Sequence, residues 1–251
     1  MNEMNRSGPM SAGNHAYISS TLKGLFPRGV VVTELRGRCD VSSLHPQELP
    51  PSSKFAPKRL EEFAAGRACA RRALAEFGMT GVPLVMADDR RPRWPRFLVG
   101  SITHTAGFCG AAVAGRRRYR AIGLDAEHIA HVSDSVWPQI CTPKEMATLH
   151  SRPQRIQAAL AAITFSAKEA FYKCQYGVTG AWLDFHDVAV SIDSDEENGG
   201  TFVIHPASEV ASAAKISSSK GRFRIVGELV LAGVAFSVEE EEDRERDEGE
   251  R

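Results

Sequence analysis

The sequence predicts an α+β fold built as two related lobes, and three observations carry that expectation. Its 251 residues suffice for one large domain or for two small lobes around a shared core. Helical and strand-like segments are mixed, without the strict alternation of a doubly wound sheet. The order of elements in the first half resembles the order in the second, with no short tandem repeat. Hydrophobic residues at 43% and charged residues at 25% are ordinary for a globular protein. That composition excludes a wholly disordered chain, a collagen and a disulfide miniprotein.

Residues 1–16 are polar and rich in Gly, Ser and Asn, and predict a loose segment. The run Gly-Val-Val-Val-Thr-Glu-Leu at 29–35 reads as a strand, and the Pro- and Ser-rich stretch 46–57 as a loop. Apolar residues recur at helical spacing over 57–77, and Gly78 supplies the stop. Pro92 and Pro95 keep 88–95 irregular, and a strand follows at 97–104. Segments 109–114 and 121–127 read as the strands of a hairpin joined by the basic turn 115–120. A helix is expected over 154–176. Three or four strands then close the chain, at 185–192, 201–205, 223–228 and 229–238. The lobes divide at 17–120 and 121–238.

Charge is unevenly spread. Residues 239–251 hold nine acidic and three basic side chains and nothing apolar, so a disordered acidic tail is expected. Of the 31 basic and 31 acidic residues overall, 28 and 22 fall in the remaining body, which carries +6. A mildly basic body suits an acidic partner or a phosphate-bearing ligand. It falls short of a nucleic-acid-binding charge, and basic and aromatic residues are not interleaved on a platform. Five scattered cysteines without a CxxC pair fit neither a disulfide framework nor a zinc site, and read as reduced thiols. There is no basic segment followed by an apolar one at the start, and the apolar run 229–236 is too short to span a bilayer. A cytoplasmic monomer without membrane contact is the expectation.

Three places hold residues in unexpected company. On the 57–77 helix, Leu60, Phe63, Ala64, Ala70, Leu74 and Phe77 form one stripe, with Arg67 in its middle and Arg71 at its edge. A guanidinium among apolar neighbours needs an anion: an internal carboxylate, a snorkelled escape to water, or a bound phosphate. In Ala121-Ile-Gly-Leu-Asp-Ala-Glu127, a period of two puts Asp125 and Glu127 on one face about 7 Å apart. They are either two solvated acids or a site for a hard cation. In Phe165-Ser-Ala-Lys-Glu-Ala-Phe-Tyr-Lys173, Glu169 and Lys173 stand four apart on one helix flank. They form a surface ion pair, or a base or metal ligand beside a phosphate-binding ammonium. His104 lies at a strand end among small residues and has both a structural and a ligand-facing reading.

The order of these pieces is more specific than any one of them. Gly66-Arg-Ala-Cys-Ala-Arg-Arg-Ala-Leu, Trp94-Pro, Gly100-Ser-Ile-Thr-His104, Gly123-Leu-Asp-Ala-Glu127 and Phe165-Ser-Ala-Lys-Glu-Ala-Phe-Tyr-Lys173 together resemble the 4′-phosphopantetheinyl transferases, of the enterobactin-synthetase/surfactin type. The resemblance runs from about 58 to 185 and implies two lobes in one chain, each a small, mainly antiparallel sheet packed with helices. It implies transfer of the phosphopantetheine arm of coenzyme A to a serine of an apo carrier protein, releasing 3′,5′-ADP. Mg²⁺, with Mn²⁺ as the alternative, would be held by Asp125, Glu127, Glu169 and the Ala126 carbonyl. Glu169 would serve as base and Lys173 would grip the pyrophosphate with Lys168 nearby. Arg59, Arg67, Thr103 and His104 would hold the 3′-phosphoadenosine. Asp89, Arg90 and Arg91 would line the adenine, with Asp89 standing where the family usually has lysine. Leu183 would border the pantetheine arm. Acidic carrier domains of nonribosomal peptide or polyketide synthases, often for siderophores, are the implied partners. The rival reading is a non-catalytic coenzyme A or nucleotide sensor.

Overall fold

The structure, a computed structural model, describes residues 17–18, 21–50, 55–196 and 198–238. The expectations for 1–16 and for the tail 239–251 lie outside these residues. The first sheet contains β1 (Tyr17–Ile18), β2 (Val30–Arg36), β3 (Leu98–Thr105) and β4 (Phe108–Gly115), antiparallel in the order β1-β2-β4-β3. Helix α1 (Pro57–Ala75) packs on it. Pro57 sits in the first turn, where its missing N–H costs nothing. After Ala75 the chain turns out through Gly78 at φ +76°, a conformation that glycine adopts without strain. Apart from Arg67 and Leu74, the buried residues of α1 are small, among them Ala64, Cys69, Ala70 and Ala73. That lets the helix approach closely: a Cβ at Gly66 would lie 2.9 Å from Ile102 of β3.

The second sheet contains β5 (Tyr119–His128), β6 (Val188–Glu196), β7 (Gly199–Pro206), β8 (Ser219–Val226) and β9 (Leu229–Ser237), antiparallel in the order β5-β9-β8-β7-β6. Three short helices, α2 (Trp137–Ile140), α3 (Pro143–His150) and α5 (Glu209–Ala213), flank the long α4 (Gln154–Thr179). Both α2 and α3 fall in a stretch where no element was expected. Helix α4 buries Ile163, Ala167, Ala170, Phe171 and Cys174 at helical spacing, with Leu160 partly buried on the same core. It ends at Gly180 in the left-handed conformation.

The hairpin expected across 115–120 does not form. Both edges of β4 are already occupied, by β2 and β3, so β5 turns away and pairs with β9 in the other sheet. The basic turn is therefore the crossing between lobes. Where the sheets meet, β3 and β5 run side by side in the same direction without a backbone ladder. Ser101 Oγ accepts the Leu124 N–H and Thr103 Oγ1 accepts the Ala126 N–H, each at 3.0 Å. One core cluster spans this seam and mixes Leu22, Val99 and Phe108 with Ile122, Leu124 and Leu231.

Two devices fix α4, one against β5 and one against the helices and loop on its other flank. A Cβ at Gly123 would lie 2.8 Å from the Ala170 carbonyl carbon and 3.0 Å from Cys174 Cβ, so only glycine admits the helix this close. Lys168, 2% exposed, donates to Ile140 O at 2.9 Å, Phe185 O at 2.8 Å and Glu145 Oε2 at 2.8 Å. Glu145 also accepts the N–H groups of Thr142 and Val190, which ties α3 and β6 to the same point. No helix among the described residues is long and apolar enough to cross a membrane.

Candidate functional site

A cleft of about 1080 Å³ opens between the lobes, walled by α1, the 86–94 loop, β3, the start of β5 and the C-terminal half of α4. It lies at the large end of ligand-pocket volumes, which run to roughly 1,000 Å³.

Arg67 projects into it from α1, as the interrupted stripe suggested. The residue is 4% exposed, its guanidinium lies 4.2 Å from the Phe63 ring centre, and its Nε and Nη2 have no hydrogen-bond partner. Burial pulls its pKa down to about 10, opposed chiefly by the Glu48 charge. It still carries a full charge at neutral pH. Arg71 one turn on has taken the internal carboxylate instead, pairing with the buried Glu48. Arg59 Nη1 contacts His104 Nε2 at the cleft mouth, and Glu62 lies 3.3 Å from Arg59. Burial, then the Arg59 charge, hold the His104 ring below its ordinary pKa.

The 86–94 loop closes one end. Arg90 adopts φ +68°, and Asp89 pairs with Arg91 at 2.6 Å, which holds the Asp89 carboxyl below its usual range. Arg91 lies 4.8 Å over the Tyr176 ring, and Tyr176 stacks on Tyr172, whose ring meets Trp182 edge-on. Trp94 packs where a side chain at Gly100 would stand, 2.7 Å from that Cβ position.

Behind Lys173, which lines the cleft, Asp125 is 5% exposed and fully engaged. Oδ1 accepts Lys173 Nζ at 2.6 Å and Thr103 Oγ1 at 3.3 Å, and Oδ2 accepts Ser166 Oγ at 2.8 Å. Glu127 Oε1 accepts Thr105 Oγ1 at 3.0 Å and the His128 N–H at 2.8 Å, and lies 2.8 Å from His131 Nδ1. Glu169 is half-buried, and burial pushes its carboxyl above the ordinary range. Asp125 and Glu127 push the same way while Lys173 opposes them. Three carboxylates thus share one field with one ammonium, a donor set that a hard cation with oxygen ligands fits.

Three of the sequence-predicted residues stand elsewhere. Lys168 does not reach the cleft: its three donors are spent on the α4 anchor, because it points to the opposite flank from Lys173. Thr103 alternates with His104 on β3, so it faces the seam and orients Asp125 rather than lining the cleft. Leu183 is buried in the core of the second lobe, and its neighbour Trp182, 75% exposed, borders the cleft. The alanine of the DxE motif, Ala126, buries its side chain in the seam core. Ser166, Tyr172 and Tyr176 were not singled out as site residues, although all three lie within or beside the Phe-Ser-Ala-Lys-Glu run. Arg116, expected in a solvated turn, donates to Arg96 O at 3.0 Å and borders the cleft.

The family model described as the 4′-phosphopantetheinyl transferase N-terminal domain matches residues 47–114, and that of the 4′-phosphopantetheinyl transferase superfamily matches 121–228. The chain is 32% identical to the 4′-phosphopantetheinyl transferase Npt of Nocardia iowensis, over 86% of this chain and 100% of the relative. It is 35% identical to PptT of Mycobacterium tuberculosis, over 76% of this chain and 85% of the relative. Enterobactin synthase component D of Salmonella typhi is 35% identical over 53% of this chain and 58% of its own length.

Proposed function

This chain belongs to the 4′-phosphopantetheinyl transferases, and from that membership and the cleft geometry we infer that the cleft holds coenzyme A lengthwise, with transfer at its inner end. The activity of the family is transfer of phosphopantetheine from coenzyme A to a carrier-protein serine. The observation that carries the residue assignment is the buried, unpartnered Arg67 guanidinium in the same cleft as Lys173, whose ammonium is bonded to Asp125 and lies in the field of Glu169.

Arg67, with Arg59 and His104, takes the 3′-phosphate end, where a bidentate fork meets phosphate oxygens. The 86–94 loop, including Asp89, Arg90 and Arg91, encloses the base. The pyrophosphate lies against Lys173, whose ammonium is already fixed by Asp125. The Tyr172–Tyr176–Trp182 wall runs beside the pantetheine arm.

Asp125, Glu127 and Glu169, with the Ala126 carbonyl, would hold Mg²⁺ or Mn²⁺. No three acidic, histidine or cysteine side chains are gathered into a ready cage among the described residues. Mg²⁺ suits such a site, since it is commonly bound by one or two carboxylates plus substrate phosphates and water. When bound, it would offset charge on the pyrophosphate oxygens. The incoming serine oxygen bonds to the phosphorus that bears pantetheine, the bond to the bridging oxygen breaks, and 3′,5′-ADP leaves. Glu169 receives the serine proton, directly or through water, and its raised proton affinity suits it to that task.

The partners proposed are acidic carrier domains of nonribosomal peptide or polyketide synthesis, siderophore assembly included, which the body charge of +6 suits. Intact-mass spectrometry of an apo peptidyl carrier with this protein, coenzyme A and Mg²⁺ tests the reading. The carrier should gain one phosphopantetheine arm, and the gain should vanish with chelator. Glu169→Gln should retain coenzyme A binding and lose transfer; near-normal turnover in that variant removes Glu169 from the chemistry.

A further inference from the structure

We propose that Arg71 is a positioning residue for coenzyme A, which it serves by occupying Glu48 so that Arg67 stays open to the ligand. The inference rests on the reading of Arg67 as the 3′-phosphate fork.

Arg67 and Arg71 stand one helical turn apart on α1, so they project to the same side. Beside them lies a deeply buried carboxylate, Glu48, whose side chain is fully shielded from solvent; it pairs with Arg71, and its charge also acts on Arg67. Its Oε1 accepts the Leu84 N–H at 2.8 Å, and its Oε2 accepts the His45 N–H at 2.9 Å and Arg71 Nη1. Arg71 is itself held by donating Nη2 to Ser43 O at 2.6 Å. Two guanidinium groups thus compete for one buried anion, and the backbone carbonyl of Ser43 decides which one wins. The outcome leaves Arg67, a residue of the cleft lining, with two buried guanidinium nitrogens that have no hydrogen-bond partner, a costly arrangement unless a ligand completes it.

Removing the charge of Arg71 reverses the competition. Glu48 Oε2 then lacks its cation, and the Arg67 fork turns inward to supply one. Arg71→Met should therefore weaken coenzyme A binding by about tenfold or more, the worth of a charged hydrogen bond, although Arg71 never touches the ligand. Adding Glu48→Gln removes the decoy anion and should restore affinity to within about threefold of the parent. Arg71→Lys, which keeps a cation at Glu48, should bind nearly as the parent does.

Isothermal titration of the full chain with coenzyme A, alongside thermal melting to verify folding, decides among these. If Arg67→Met binds coenzyme A as the parent does, the reading of Arg67 itself fails. If Arg67→Met weakens binding but Arg71→Met does not, the positioning role alone is overturned. A double variant no tighter than Arg71→Met also overturns it, since loss of packing cannot be rescued by a second deletion. Should Arg71→Met not fold, Arg71→Gln, whose amide can keep the bond to Ser43 O, carries the same comparison.

Discussion

The substitution Gly123→Ala tests whether the closeness of α4 to β5 is what assembles the reaction end of the cleft. The new Cβ would stand 2.8 Å from the Ala170 carbonyl carbon, nearer still to its oxygen, and 3.0 Å from Cys174 Cβ. Carbon atoms in contact prefer about 3.5–4.0 Å and the oxygen stands closer than the carbon, so the helix must retreat by at least about 1 Å. Neither neighbour can yield alone, since one is helix backbone and the other a buried residue on the same helix. The Lys173–Asp125 bond, 2.6 Å in the native packing, would open by about the same amount, past hydrogen-bond range. Misplacement on that scale costs roughly 100-fold in rate, and overpacking of this kind costs about 1–3 kcal/mol of stability. The assay is single-turnover transfer to an apo carrier followed by intact mass, with a urea melt of the same sample. Coenzyme A affinity, set largely at the Arg67 end, should fall much less than the rate. Parental turnover together with a parental melt would refute the argument, because the clash would then have been absorbed without moving α4.

Other consequences can be read from the same geometry. Arg67→Met should raise the melting temperature of the ligand-free protein, by relieving an unsatisfied buried cation, while raising the coenzyme A KM roughly tenfold to a hundredfold. A fall in both stability and affinity would point to a structural arginine. Ser166→Ala deprives the buried Asp125 of a 2.8 Å donor, so a loss of about 1–3 kcal/mol in stability is expected from chemical denaturation, with Ser166→Thr tested for partial rescue. His104 titrates below 6.5 in the folded chain, so the unfolded chain takes up its proton first as pH falls. Its contribution to stability is full above that value and is lost as pH drops through the folded pKa. A bound phosphate favours the charged ring, so coenzyme A should bind more tightly near about pH 6 than near about pH 8, and His104→Gln should flatten that dependence.

Much of this architecture is legible along the chain because it depends on local spacing. The interrupted stripe on α1 located Arg67, period-two alternation placed Asp125 opposite Leu124, and the termination signal at Gly78 matched a helix end. What was misread depends on partners distant in sequence. Two strands with a short turn between them describe a hairpin equally well as a passage between sheets, and only the full edges of β4 decide the matter. Lys168 and Lys173 are both lysines of one motif, five residues apart; which of them finds Glu145 and which finds Asp125 depends on α3 and β5. Thr103 and His104 are neighbours whose faces differ, and the seam that gives Thr103 its role joins residues more than twenty positions apart. The one-residue difference between Leu183 and Trp182 arises after α4 ends, where no period applies.

The hydroxyl-closed seam makes each lobe stand to the other as a subunit stands in an obligate dimer. The face that each presents combines an apolar core with a short set of side-chain bonds, and neither sheet is continuous with its neighbour across the junction. A chain cut in the 115–118 turn would then yield two pieces, each retaining its complete sheet and each exposing half of the shared core. Their reassociation should be concentration-dependent, and Ser101→Ala with Thr103→Val should weaken it while leaving the strand pairing of either piece intact. Covalent continuity in this protein supplies effective concentration as much as it supplies sequence, and the cleft exists only as a property of the pair.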